Sequence, residues 1–127
     1  MRVAREKSVS PNIVLIGGHP KGYSEPFHEK TYSGKILRTI IAKSGTDPIL
    51  CNLWRDASEE RVGVLTSAAR TMLEGYVQRG CVLIALGRHQ ERALRAGSFS
   101  CTYLPHPASR RGADRERLLR GLRGLAG

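Results

Sequence analysis

Four short apolar runs, each closed by glycine, proline or charged residues and followed by a stretch with helical spacing, decide what this chain can fold into. The first is Asn12-Ile-Val-Leu-Ile16, a short apolar, β-branched run ended by Gly17-Gly18. Continuous apolar runs of this length read as strands buried on both faces. Pro48 to Trp54, Cys81 to Leu86 (closed by Gly87) and Phe99 to Leu104 (closed by Pro105) repeat the pattern. Between them, Leu37, Ile40 and Ile41 have helical spacing, with Ser33 as the expected N-cap and Gly45 as the stop. Asp56 with Glu59 three residues on reads as a capping box. It opens one helix whose face carries Leu65, Ala69, Met72 and Tyr76 and which Gly80 closes. A short helix follows over Arg88 to Ala96, and a last one runs from about Asp114 to Leu125 with Leu118, Leu122 and Leu125 inward. Strands alternating with helices predict an α/β protein: a four-stranded parallel sheet in a three-layer α/β/α arrangement. The 127 residues suffice for one domain, 1–127, with 1–11 as a flexible N-terminal segment.

Charge points to the partner. The net charge is +10, and arginines crowd the last third, from Arg88 to Arg123, while the acids are spread through the middle. An excess of this size is either a set of solvated helix faces or a surface for a polyanion. Arg110 and Arg111 follow a strand and have no helix face to decorate, which favours nucleic acid. No apolar run is long enough to cross a bilayer, and the charged N-terminus lacks the apolar segment of a signal peptide. Cys51, Cys81 and Cys101 are an odd count in or beside strand-like runs, with no close pair. They read as small buried residues in a reducing compartment, so no disulfide framework, metal or cofactor is expected. The expectation is a cytoplasmic monomer, at the nucleoid where it binds DNA, with no membrane partner.

Two loops carry the candidate chemistry, Gly17-Gly-His-Pro20 and His106-Pro-Ala-Ser109, each after a strand. In open α/β sheets ligands bind at that edge. The first loop lacks the spacing of a P-loop or a dinucleotide fingerprint, and alone it reads as a tight turn that lets a ligand approach the backbone. Phe27 is either a core anchor or a stacking platform for a base. Asn52, inside an apolar strand, serves either a structural bond or the edge of a pyrimidine. His106 sits between two prolines that fix its direction, and a neutral imidazole there can donate to a developing oxyanion. His19 and His28 are looser candidates, and His89 is expected to face solvent. Trp54 and Arg55 either pack or line the pocket.

Taken together in this order, the motifs resemble those of the uracil-DNA glycosylase superfamily, over nearly the whole chain from Asn12 to Leu125. The matching residues are Gly17-Gly-His-Pro20, Pro26-Phe27, Ser33-Gly-Lys-Ile-Leu37, Cys51-Asn52-Leu, Val82 to Gly87 and His106-Pro-Ala-Ser109. The resemblance implies a pocket in which Phe27 stacks on a flipped base, Asn52 reads its edge and His106 stabilises charge on the base oxygen. It implies base-binding roles for Gly17, Gly18 and Pro20. The loop after His106 would face DNA, with Ser109, Arg110 and Arg111 there and Lys35 on the neighbouring helix.

One departure concerns the chemistry. In that superfamily the first motif carries an Asp, Asn or Glu, whereas the positions here are Gly18 and His19. Glu25 and Glu29 lie nearby; Glu25 is the candidate substitute acid, and solvated loop acids are the alternative. The expected function is base flipping and hydrolysis of the N-glycosidic bond to a uracil-like base. Two alternatives stay open: a non-catalytic member that recognises a modified base, nucleotide or DNA, and a glycosyl or nucleotide-processing enzyme with His19 in a new role.

Overall fold

The computed structural model describes residues 13–109 and 111–126. The segment expected to be flexible, 1–11, therefore lies outside the described residues. Strands β1 (Ile13–Gly17), β2 (Ile49–Asn52), β3 (Val82–Leu86) and β4 (Thr102–Leu104) form one sheet in the order β2-β1-β3-β4. Every neighbouring pair is parallel. Helices α1 (Tyr32–Ser44), α2 (Ala57–Val62), α3 (Ser67–Gln78), α4 (Arg88–Ala96) and α5 (Gly112–Ala126) complete the chain.

Residues alternate across the sheet as the pleat requires. Leu15, Leu50, Ile84 and Leu86 meet Leu37 and Ile41 of α1 and Leu118 and Leu122 of α5 on one face. Val14, Ile16, Cys51 and Ala85 meet Leu73 and Tyr76 of α3 and Leu94 of α4 on the other. Both faces are covered, which is why β1 is buried along its whole length and reads as an uninterrupted apolar run. The result is the three-layer α/β/α fold. Among the described residues no helix is long and apolar enough to cross a membrane.

Three local expectations are corrected. The segment from Asp56 to Gly80 is two helices, not one. Asp56 caps α2 by accepting from Glu59 N, but Gly63 adopts φ 74° and ends the helix, and the Thr66 side chain caps α3. The spacing of Leu65 with Ala69 ran across this break because Leu65 is buried from the linker. The N-cap of α1 is Thr31, not Ser33: its Oγ1 accepts from Gly34 N at 2.9 Å and donates to the His28 carbonyl. The last strand is confined to Thr102–Leu104, shorter than the apolar run that announced it.

The topology sets the site. The chain leaves β1 toward β2 on one side and leaves β3 toward β4 on the other, so the strand order reverses between β1 and β3. At such a switch point the loops diverge and leave a crevice at the carboxyl ends of the strands. The entrance loop into α1 is held close by Gly34, where a Cβ would overlap the His28 carbonyl oxygen and lie 2.6 Å from that of Phe27. Both are backbone atoms and cannot swing aside. Gly34→Ala is therefore expected to destabilise the domain by about 1–3 kcal/mol, read from the urea midpoint. An unchanged midpoint would show that the loop has room to retreat.

Candidate functional site

All four strand ends converge on one cavity of about 280 Å³. Gly18, His19 and Pro20 enter after β1, Asn52 at the end of β2, His89 and Gln90 after β3, and His106 after β4. Phe27, Thr31 and Ser33 close it from the α1 side, and Glu60 reaches in from α2. Its volume is at the small end of ligand sites, and its lining is rich in polar groups that face one another.

Asn52 is 2% exposed, and its Oδ1 is buried without a hydrogen-bond partner. A buried, unpaired amide oxygen costs free energy unless something fills its place. The structural reading, an amide satisfied by neighbouring backbone, therefore does not hold for this oxygen. Gly17 lies beneath: a Cβ there would come within 2.5 Å of the Phe27 ring and 3.3 Å of Asn52 Nδ2. It does not line the cavity itself but lets the ring and the amide close over the strand. Leu53 N and Trp54 N donate to the carbonyls of Gly17 and Gly18, extending the β1–β2 pairing and fixing both glycines.

Phe27 is buried with φ 49°, an uncommon backbone conformation for a residue with a side chain. Arg38 Nε donates to its carbonyl at 3.1 Å and holds it. The ring stands 6.2 Å from the His106 ring, tilted by 43°. It is both a core anchor, packed with Leu37, and a wall of the cavity.

The His106 loop defines its own protonation. Ala108 N donates to His106 Nδ1 at 3.0 Å, so Nδ1 is the acceptor and a neutral ring carries its proton on Nε2. Burial holds the imidazole's proton affinity below its ordinary value, Lys21 lowers it further, and Glu60 opposes. His106 is thus a neutral donor at physiological pH.

The carboxylate expected near the first loop is present, but not where sequence pointed. Glu25 pairs with Arg38 Nη2 at 3.4 Å and does not line the cavity, and Glu29 is exposed. Glu60 supplies the acid: its Oε1 lies 3.1 Å from His19 Nδ1. A Cβ at Gly18 would overlap that same Oε1, so the absent side chain at Gly18 is what admits Glu60. His89, expected to face solvent, instead packs 5.0 Å from the Trp54 ring and donates from Nε2 to the Glu60 carbonyl at 2.6 Å. Trp54 is core and not lining, and Arg55 is exposed, paired with Glu59. His28 stacks on Tyr23 outside the cavity.

Glu60, His89, Gln90, Ser33 and Lys21 were missed as lining residues. Ser33, freed from capping, is buried against the cavity, and the alternating position of Gln90 and Glu91 at the start of α4 gave no functional signal. The Ser109 hydroxyl donates to Asp114 at 2.7 Å and ties the loop to α5. Arg111 is exposed, and Arg110 lies outside the described residues. Lys35 lines a separate groove of about 460 Å³ between α1 and α5, whose floor is Ile36, Ile40 and Leu119. Tyr32, 57% exposed, stands beside it with Arg115 donating to its hydroxyl.

Cys51 is buried, and burial pushes its thiol up to about 12, which removes it as a nucleophile. Among the described residues no group of three or more His, Cys, Asp or Glu side chains is placed to hold a metal ion. No protein-family model matches this chain, and no curated protein or solved structure is significantly similar to it.

Proposed function

We propose that this chain takes a uracil-like base, flipped from DNA, into the cavity at the strand ends and hydrolyses its N-glycosidic bond. The observation that carries the reading is the unpartnered Asn52 Oδ1 in a cavity shared with the His106 donor and the Phe27 ring. Uracil presents an N–H donor flanked by two carbonyl acceptors. Asn52 can accept that N–H through Oδ1 and donate to one carbonyl through Nδ2, which satisfies the orphaned oxygen. The Nε2–H of His106 suits the other carbonyl, on which negative charge develops as the bond to the sugar breaks. Phe27 offers a π-face for stacking.

The surroundings suit a polyanion. Lys21 lies on the cavity rim, and Lys35, Arg111 and Arg115 are exposed on or before the first turns of α1 and α5. Tyr32, with the Arg115 guanidinium 5.9 Å from its ring centroid, forms an exposed cation–aromatic pair of the kind on which an unpaired base stacks.

Incubation with an oligonucleotide carrying one uracil, single- or double-stranded, followed by alkali, is expected to give cleavage at the uracil. Asn52→Ala is expected to lower the rate about 5- to 150-fold, the value of one bidentate base contact. Intact DNA with the oligonucleotide still bound would replace this reading with base recognition without excision.

A further inference from the structure

We propose that His19, oriented by Glu60, is the base that activates the attacking water; this rests on the base-excision reading above. Two of the three histidines that line the cavity, His19 and His106, are held in opposite tautomers. His106 accepts at Nδ1 and so presents Nε2–H. His19 faces a carboxylate, which only accepts, so its Nδ1 carries the proton and donates to Glu60 Oε1 at 3.1 Å. Its Nε2 then holds a lone pair, and among the described residues that nitrogen has no partner. One pocket thus contains a donor nitrogen, His106 Nε2, and an acceptor nitrogen, Nε2 of the unprotonated His19 ring, on separate walls, the pairing that splits acid and base work between two side chains.

Glu60 is placed for this from three directions. Gly18 provides the space its carboxylate occupies. His89 clamps its backbone carbonyl from α4. The Asp56 cap fixes the first turn of α2 from which it projects. A carboxylate behind an imidazole fixes the tautomer and stabilises the imidazolium that forms, without itself taking the proton.

The step balances as follows. The water oxygen bonds to the anomeric carbon of the sugar while the bond from that carbon to the base nitrogen breaks. The electron pair of the broken bond leaves with the base, whose oxygen is held by His106 Nε2–H. The water proton passes to His19 Nε2, and the resulting imidazolium is balanced by Glu60. His19 then gives that proton to the departing base or to solvent, which restores the starting state. His19 is the catalytic residue and Glu60 a positioning residue.

The test compares wild type, His19→Gly, Glu60→Ala and Glu60→Gln in single-turnover cleavage of a uracil oligonucleotide. Binding is measured on the same oligonucleotide with 2′-fluorinated deoxyuridine, whose electron-withdrawing fluorine slows bond breaking. His19→Gly is expected to lose about 100-fold or more in rate, bind the fluorinated oligonucleotide as wild type does, and recover activity when imidazole is added. Glu60→Ala is expected to lose rate without losing binding, and Glu60→Gln to recover part of it, because the amide oxygen still accepts from Nδ1. If His19→Gly does not fold, His19→Gln is read in its place for slow cleavage with intact binding. Wild-type cleavage that survives in these variants, or a loss that follows binding and ignores imidazole, overturns this inference alone. A wild-type chain that leaves uracil intact overturns the base-excision reading and this inference with it.

Discussion

On the base-excision reading, His106→Ala is expected to slow uracil release by about 10²- to 10³-fold while leaving the domain folded and able to take up the base. That is the loss seen when one donor aimed at a developing oxyanion is removed. The imidazole is prepared for the role before any ligand arrives. Pro105 and Pro107 are buried and stiffen the loop, Ala108 N occupies Nδ1, and Gly87 N holds the Leu104 carbonyl just upstream. His106, with Nδ1 already engaged, lines the same cavity as Asn52. Single-turnover cleavage measures the loss. A folded variant with the wild-type rate would remove His106 from the reaction.

The same residue gives a pH dependence of defined sign. Burial first, and then Lys21, depress the proton affinity of His106 in the fold below the ordinary value of 6.5. As the pH falls through 6.5 the unfolded chain binds the proton and the folded chain does not, so stability declines. The contribution is full above 6.5 and is lost progressively down to the depressed folded value. His106→Ala is expected to flatten that part of the stability profile in urea titrations at stepped pH.

The backbone plan was legible because its signals are local. The run from Ile13 to Ile16 is bounded by Gly17, and Val82 to Leu86 by Gly87, and the strands appear within a residue of those marks. The helix α4 matches its predicted span of Arg88 to Ala96. Gly63 was not legible as a break because the apolar spacing that marks this segment begins only at Leu65, beyond it, and the left-handed conformation at Gly63 is what shows the stop. In the site, Asn52, Phe27, His19 and His106 were found because each stands beside a strand end or a proline. Glu60 was not, since it sits 41 residues from His19 on a helix with no buried residues of its own. The available signal was negative: a glycine at position 18 leaves a hole, and a hole in the sequence does not say which distant side chain fills it. His89 shows the same limit, as its partner is the backbone of a helix 29 residues away.

Trp54→Ala is expected to cost about 3–5 kcal/mol of stability, the range for emptying a large buried aromatic site, out of a total of about 5–15 kcal/mol for a domain. Trp54 is 0% exposed, and its removal would open space between the sheet and the α2–α3 corner. Two connections go with the ring, and a third belongs to the backbone. Its Nε1 donates to the Val64 carbonyl at 3.0 Å, which anchors the linker after Gly63. Its face lies against His89, whose Nε2 in turn holds the Glu60 carbonyl. Its backbone N donates to Gly18, the residue that makes room for the Glu60 carboxylate, and that bond alone survives the substitution. The alanine variant is therefore expected to lose cleavage activity beyond its loss of stability, because α2 no longer presents Glu60 to His19. Trp54→Phe keeps most of the apolar volume and gives up the single hydrogen bond to a carbonyl on an exposed linker, a loss of about 1 kcal/mol. Urea unfolding of both variants, beside their cleavage rates at a temperature where each is folded, separates the two effects. An alanine variant within about 1 kcal/mol of the parent would show that this corner is tied to the sheet by something other than the indole. The route from the core through His89 to the carboxylate would then have to be abandoned.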